Sequence, residues 1–132
     1  MKRIWKGCLI AVILFIVLMV AIFLIITKTT SKKMDTYDAF NYAGLDLASI
    51  EDGVYTGSED AGIVKATVEV TVENHIITKI AILKHDNGKG KPAEVITEDI
   101  IQSNSLDVDA ISGATFSSNV IKMAVYNALT KK

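Results

Sequence analysis

An α+β fold is expected, an antiparallel β-hairpin or sheet packed with two C-terminal helices and preceded by one N-terminal transmembrane helix. Three observations predict it. Val64, Ala66, Val68, Val70 and Val72 alternate with Lys65, Thr67, Glu69 and Thr71, the period of a strand with one dry and one wet face. Val120, Ile121, Ala124, Val125, Ala128 and Leu129 recur as the buried stripe of a helix. From Cys8 to Ile26 every residue is apolar, without a charge, Gly or Pro.

That apolar run is roughly 28 Å long as a helix, close to the ~30 Å hydrocarbon core of a bilayer. A secretory h-region is only about 7–15 residues, and no small-x-small cleavage site follows, since Thr27, Lys28, Thr29 and Thr30 come next. The run therefore reads as one retained anchor. Lys2, Arg3 and Lys6 precede it and Lys28, Lys32 and Lys33 follow, so the basic residues balance across it. The free α-amino group and the short basic head place the N-terminus inside and the rest of the chain outside. Trp5 suits the interface at the inner edge. Cys8, the single cysteine, excludes an intrachain disulfide or cysteine metal cluster and reads as a small apolar residue at the membrane edge.

All 15 acidic residues lie beyond Met34, against eight lysines there, so residues 34–132 carry a formal charge of −7. Nucleic acid is excluded as a partner, because phosphate recognition needs the opposite sign. The basic residues flanking the anchor suit anionic membrane lipid.

In chain order, residues 27–33 are Thr, Ser and Lys, read as a solvated neck. Met34–Ile50 carries a weak helical signal through Tyr37, Phe40, Tyr42, Leu45 and Leu47, a spacer helix or first packing element. Asp52-Gly53 punctuates the chain, and Val54–Thr56 is a short strand closed by Gly57. After the alternating strand, Asn74-His75 is a tight turn, with His75 an exposed turn residue, and Ile76–Leu83 is the returning strand. Lys84–Lys91 is a loop. Pro92 opens a helix whose apolar side is Ala93, Val95, Ile96, Ile100 and Ile101, and the last helix covers about Phe116–Leu129.

The segment Asp109-Ala110-Ile111-Ser112-Gly113-Ala114-Thr115 enters that last helix. Small residues there let a bulky group approach the backbone, and the first helical amides, unpaired and partly positive, favour a phosphate. Thr115 adds a hydroxyl at the same place. On the residues alone two readings stand, an anion site and a plain Ser/Thr helix cap. No Gly-x-Gly-x-x-Gly, phosphate loop, His-Glu-x-x-His, Cys-x-x-Cys or nucleophile elbow is present, so no catalytic residue and no metal ligand is assigned.

Asp-x-x-Ser-Gly-Ala-Thr resembles the attachment sequence of the FMN-binding domain family, which includes the flavin-bearing subunits of the Rnf and sodium-pumping quinone reductase complexes. The resemblance runs from about Asp52 to Leu129, through Asp52-Gly53-x-Tyr55-x-Gly57, the hairpin, His85, Ser105-Leu106-x-Val108-Asp109 and the attachment sequence. It implies that a flavin transferase, using FAD and magnesium, joins FMN to Thr115 as a phosphodiester. Ser112, Gly113 and Ala114 would form the uncrowded loop. Asp109 is the acidic position of the motif or a turn-forming Asp. His85 is a donor beside the flavin ring or a structural loop His. Gly88 and Gly90 replace the Thr-Pro-Gly of part of the family, so the resemblance does not supply the ring-side contacts.

The implied organisation is a cytoplasmic head and anchor over 1–27, a neck and spacer over 28–50 and an FMN-binding domain over 51–132. The implied function is an extracytoplasmic, membrane-anchored electron carrier rather than a stand-alone enzyme, with redox proteins or a quinone-linked membrane complex as partners. A tether keeps the ring at an effective concentration on the order of millimolar where free FMN is dilute. The alternatives are a non-redox exported binding module and the same fold holding FMN without a covalent bond.

Overall fold

The computed structural model describes residues 2–131. The chain divides into two compact units, Met1–Lys32 and Lys33–Lys132. Helix α1 covers Lys2–Asp38. From Leu9 to Ile26 its large apolar side chains are exposed, and the helix is long and apolar enough to cross a membrane. Residues 27–33, read as a solvated neck, continue the helix with their side chains exposed or half-buried. The hydroxyls of Thr27, Thr29 and Ser31 donate back to the carbonyls of Leu24, Ile25 and Thr27 at 2.9–3.0 Å. They thereby satisfy themselves inside the helix instead of competing with it.

The second unit opens with the last turn of α1. Tyr37 is buried and donates to Glu59 Oε1 at 2.7 Å, and Lys33 bonds the Asp60 carbonyl. Two 3-10 turns follow, Tyr42–Gly44 and Leu47–Ser49, capped by the side chains of Asn41 and Asp46. Residues 39–50 are therefore not the continuous helix that the apolar spacing suggested. Asn41 and Asp46 accept the amides two residues ahead, the local bonding that favours turns.

The sheet has three antiparallel strands in the order β1-β2-β3: β1 Gly53–Asp60, β2 Lys65–Glu73 and β3 Ile76–Asp86. In β2, Ala66, Val68, Val70 and Val72 are buried as the alternation predicts. Asn74 (φ 53°) and His75 (φ 62°) both take left-handed conformations, the two-residue turn that matches strand twist. β1 does not stop at Gly57 but runs through it to Asp60. β3 likewise continues past Leu83, taking Lys84, His85 and Asp86 out of the expected loop and pairing them with Thr67, Ala66 and Lys65.

After β3, a 3-10 segment over Lys91–Val95 leads into α2, Ile96–Ser103. Ala93, Ile96 and Ile100 are buried and Ile101 is partly buried, whereas Val95 is exposed. The tighter 3-10 winding before Ile96 takes Val95 off the expected apolar side. Asn104 (φ 47°) ends α2, and its side chain accepts the Ile77 amide at 2.9 Å, fastening α2 to β3.

Helix α3, Thr115–Thr130, is the centre of the domain. Its apolar stripe is buried, but so are Ser117, Ser118, Asn119, Lys122 and Asn127, so the helix is covered nearly all round. Ser118, Asn119, Lys122 and Asn127 each find a partner, as burial demands. Asn119 donates to Asp38 at 2.7 Å, and Asn127 donates to the Ser58 carbonyl at 2.9 Å and to Glu59 at 3.0 Å.

Candidate functional site

The site is built on the entrance to α3. The Ala114 amide donates to the Ile111 carbonyl at 2.9 Å, closing a four-residue turn over Ile111–Ala114. Gly113 has φ 79°, the positive value that a type II turn requires at its third residue. Ala114, not Ser or Thr, is the helix N-cap, and no side chain caps the helix there. Thr115 is the first helical residue and is exposed. The first internal helix bond runs from the Ser118 amide to the Ala114 carbonyl at 2.9 Å, leaving the amides before it turned toward the outside. The geometry therefore presents a secondary hydroxyl beside unpaired N–H donors, with Ser112 and Gly113 exposed next to it.

A second segment comes to the same place. The Gly90 amide donates to the Asn87 carbonyl at 2.7 Å, and Gly88 (φ 54°) makes the turn between them. A Cβ on Gly90 would overlap Oγ and Cβ of Ser117, in the first turn of α3. That glycine lets the loop after β3 lie directly against the helix start. His85, at the base of the loop, has a side chain only 2 % exposed. Its Nδ1 meets Glu94 Oε1 at 3.0 Å, and Asn87 Nδ2 donates to the His85 carbonyl at 3.1 Å. Nε2 is buried and has no hydrogen-bond partner.

The structure thus brings Ser112, Gly113 and Ala114 into one turn with Thr115 directly after it. It sets Gly90 against Ser117 two residues on, with Gly88 in the same loop and His85 at the base of that loop. Asp109 is exposed, lining a shallow depression with Asp99, Gln102, Ser103, Asp107 and Val108. The local turn before it is held by Ser105, whose hydroxyl accepts the Asp107 amide at 3.0 Å. Asp109 acts instead at a distance. With Asp107 and Asp38 it favours the charged form of Lys122, while burial, the stronger effect, lowers the Lys122 pKa from its ordinary value.

Glu94, Ser118 and Lys122 were not singled out by the sequence reading. Lys122 Nζ donates to the Val108 carbonyl at 2.7 Å and lies 4.6 Å from the centre of the Tyr42 ring. Ser118 bonds both ends of the Ile111–Ala114 turn. A signal for Ser118 existed, because it lies three residues before Ile121 on the buried stripe, where a polar residue needs a partner. Glu94 left no comparable trace, since an acidic residue near a helix start is ordinary.

No curated protein matches the chain. A family model described as FMN-binding domain matches residues 61–130, from the turn before β2 to the end of α3. This stretch holds the hairpin, the His85 loop and the Ile111–Ala114 turn, and it covers more than half of the chain. The chain belongs to the FMN-binding domain family.

Proposed function

We propose that this FMN-binding domain carries its flavin covalently, as a phosphoester on Thr115, and serves as an electron carrier on the outer face of a membrane. The observation that carries the reading is the exposed Thr115 hydroxyl at the first position of an uncapped sixteen-residue helix, behind the Gly113 turn. A phosphate there meets the unpaired amides and the partial positive charge of the helix start, so the residues present fit the group. The exposure of Thr115 suits modification by a second enzyme, a flavin transferase using FAD and magnesium.

His85 also fits. A proton on Nδ1 would donate to the Glu94 carboxylate and hold the ring. That leaves the buried, unpartnered Nε2 of the neutral imidazole as an acceptor for a flavin N–H, not the donor that the resemblance implied. Gly88 and Gly90 keep the loop low, so that Ser112, Gly113 and Ala114 stay uncrowded. Bound FMN supplies one- or two-electron chemistry, and the protein supplies position and surroundings. The long apolar α1 supports anchoring, and the acidic balance beyond it supports display away from nucleic acid. Redox proteins or a quinone-linked membrane complex are the partners that such a carrier serves.

The test is the hydroxyl itself. Thr115→Val keeps the shape and removes the nucleophile, so flavin fluorescence surviving denaturation on a gel is expected to vanish. Thr115→Ser keeps part of it, and Ser112→Ala and Ser117→Ala keep a labelled band. The added mass is that of FMN less one water. A Thr115→Val protein that still carries this mass overturns the acceptor. A wild-type chain never labelled by an active transferase with FAD and magnesium replaces the tether with reversible FMN binding.

A further inference from the structure

We infer that Ser118 is a positioning residue for flavin transfer, holding the acceptor turn in its receiving shape before any flavin arrives; the inference rests on the attachment reading of Thr115. Ser118 is 0 % exposed, on the first turn of α3. Its Oγ accepts the Ile111 amide at 3.0 Å and donates to the Ala114 carbonyl at 2.9 Å. One hydroxyl has one proton to give and lone pairs to accept with, so both bonds hold together. Ile111 and Ala114 are the two ends of the turn that contains Ser112 and Gly113. The same turn is closed by the Ala114 amide on the Ile111 carbonyl at 2.9 Å. Ser118 therefore clamps the turn from inside and sets where the helix, and with it Thr115, begins. One helical turn on, Lys122 holds the strand of chain leading into it through the Val108 carbonyl at 2.7 Å.

This matters because the transfer is a displacement at phosphorus. A bond forms between Thr115 Oγ1 and the FAD phosphorus on the riboflavin side, and the pyrophosphate P–O bond to AMP breaks. AMP leaves with the bonding electron pair, and the threonine hydroxyl proton passes to a base of the transferase or to water. No electron is gained or lost. Such a reaction needs the attacking oxygen in line, and a misplacement of about 1 Å can cost on the order of 100-fold. A glycine-containing turn without its inner clamp explores many positions for that oxygen.

The test uses the full-length chain in detergent with a flavin transferase, FAD and magnesium. Ser118→Ala is expected to lower kcat/KM for the protein substrate at least about 10-fold, with the KM for FAD unchanged. Val70→Ala, which opens the buried middle of β2 away from the turn, labels within about twofold of wild type, so lost stability alone does not imitate the effect. Ser118→Ala labelling within twofold of wild type, or an equal loss in Val70→Ala, overturns the proposal. Should Ser118→Ala fail to fold, hydrogen exchange of the unflavinylated wild type decides. The Ile111 amide is expected to be protected well beyond the neighbouring Gly113 amide, and equal, fast exchange of the two overturns a clamped turn. If wild type is never labelled but the Ile111 amide is protected, the attachment reading has failed while the clamp stands.

Discussion

Gly57→Ala tests whether α3 is held by direct backbone contact with the sheet. Gly57 is buried in the middle of β1, paired with Val68 of β2. A Cβ there would overlap the Ala124 carbonyl oxygen and the Ala128 amide nitrogen, and would lie 2.6 Å from Ala128 Cα, against an ordinary contact of 3.4–4 Å. All three atoms belong to the helix backbone, so no flexible side chain can yield. The strand and the helix must part by about 1 Å, a gap that forfeits a quarter to a half of each dispersion contact across it. Overpacking of this kind costs about 1–3 kcal/mol, and the upper end is expected where backbone meets backbone. For a domain of this size, 1 kcal/mol shifts Tm by about 4–8 °C, so a drop of roughly 10–25 °C follows. All four tyrosines (Tyr37, Tyr42, Tyr55 and Tyr126) lie in the domain, so its melting is read by near-UV circular dichroism of the detergent-solubilised chain. Gly53→Ala is the control, because its Cβ meets nothing nearer than the Tyr55 ring at 3.6 Å. A Gly57→Ala protein melting within about 4 °C of wild type would refute the close contact.

Two further outcomes follow from charge. The Lys122 pKa is lowered, first by burial, below its ordinary 10.5, although Asp107, Asp109 and Asp38 oppose the shift. The unfolded chain then holds the proton more tightly, so stability rises with pH as the medium passes from the folded value up to 10.5, by at most about 1.4 kcal/mol per pH unit. Lys122→Met removes that rise, and a difference between the two proteins that stays flat with pH in denaturant titrations would place the ammonium in water. Burial pushes Tyr42 up to about 12, so tyrosine ionisation opposes folding only above about 10, with the opposite sign and in both proteins. For topology, protease added to intact cells or spheroplasts is expected to remove residues 34–132, and protection until lysis would reverse the outward display.

What the sequence made legible was whatever repeats within a few residues. The β2 alternation was readable because one face of the sheet meets α3 and the other is less covered. The Asn74-His75 turn was readable because two short polar residues between apolar runs suit a hairpin. Gly57 looked like punctuation. Its true reason, the helix backbone pressed on it, comes from residues beyond position 120 and leaves no local mark. The last helix read as one buried stripe because only its apolar residues repeat at helical spacing. Asn119, Lys122 and Asn127 instead reach Asp38, the Val108 carbonyl and the Ser58 carbonyl. Partners so far along the chain cannot be read from spacing.

The same division runs through the site. The proposed acceptor segment, residues 109–115, is one contiguous stretch, so the motif was visible as a string. The groups beside it are assembled across the fold. Gly90 arrives from the β3 loop, Glu94 fixes His85 from the following turn, and Ser118 clamps from inside α3. Gly88 and Gly90, where the chain departs from part of the family pattern, lie outside the Ile111–Ala114 turn, and Gly90 packs on Ser117 of α3. If Thr115 carries the flavin as proposed, Gly90→Ala, which crowds Ser117, is expected to weaken labelling on a fluorescent gel. Changes at His85 or Glu94, by contrast, leave the Ser118 bonds to Ile111 and Ala114, and hence the labelled band, intact.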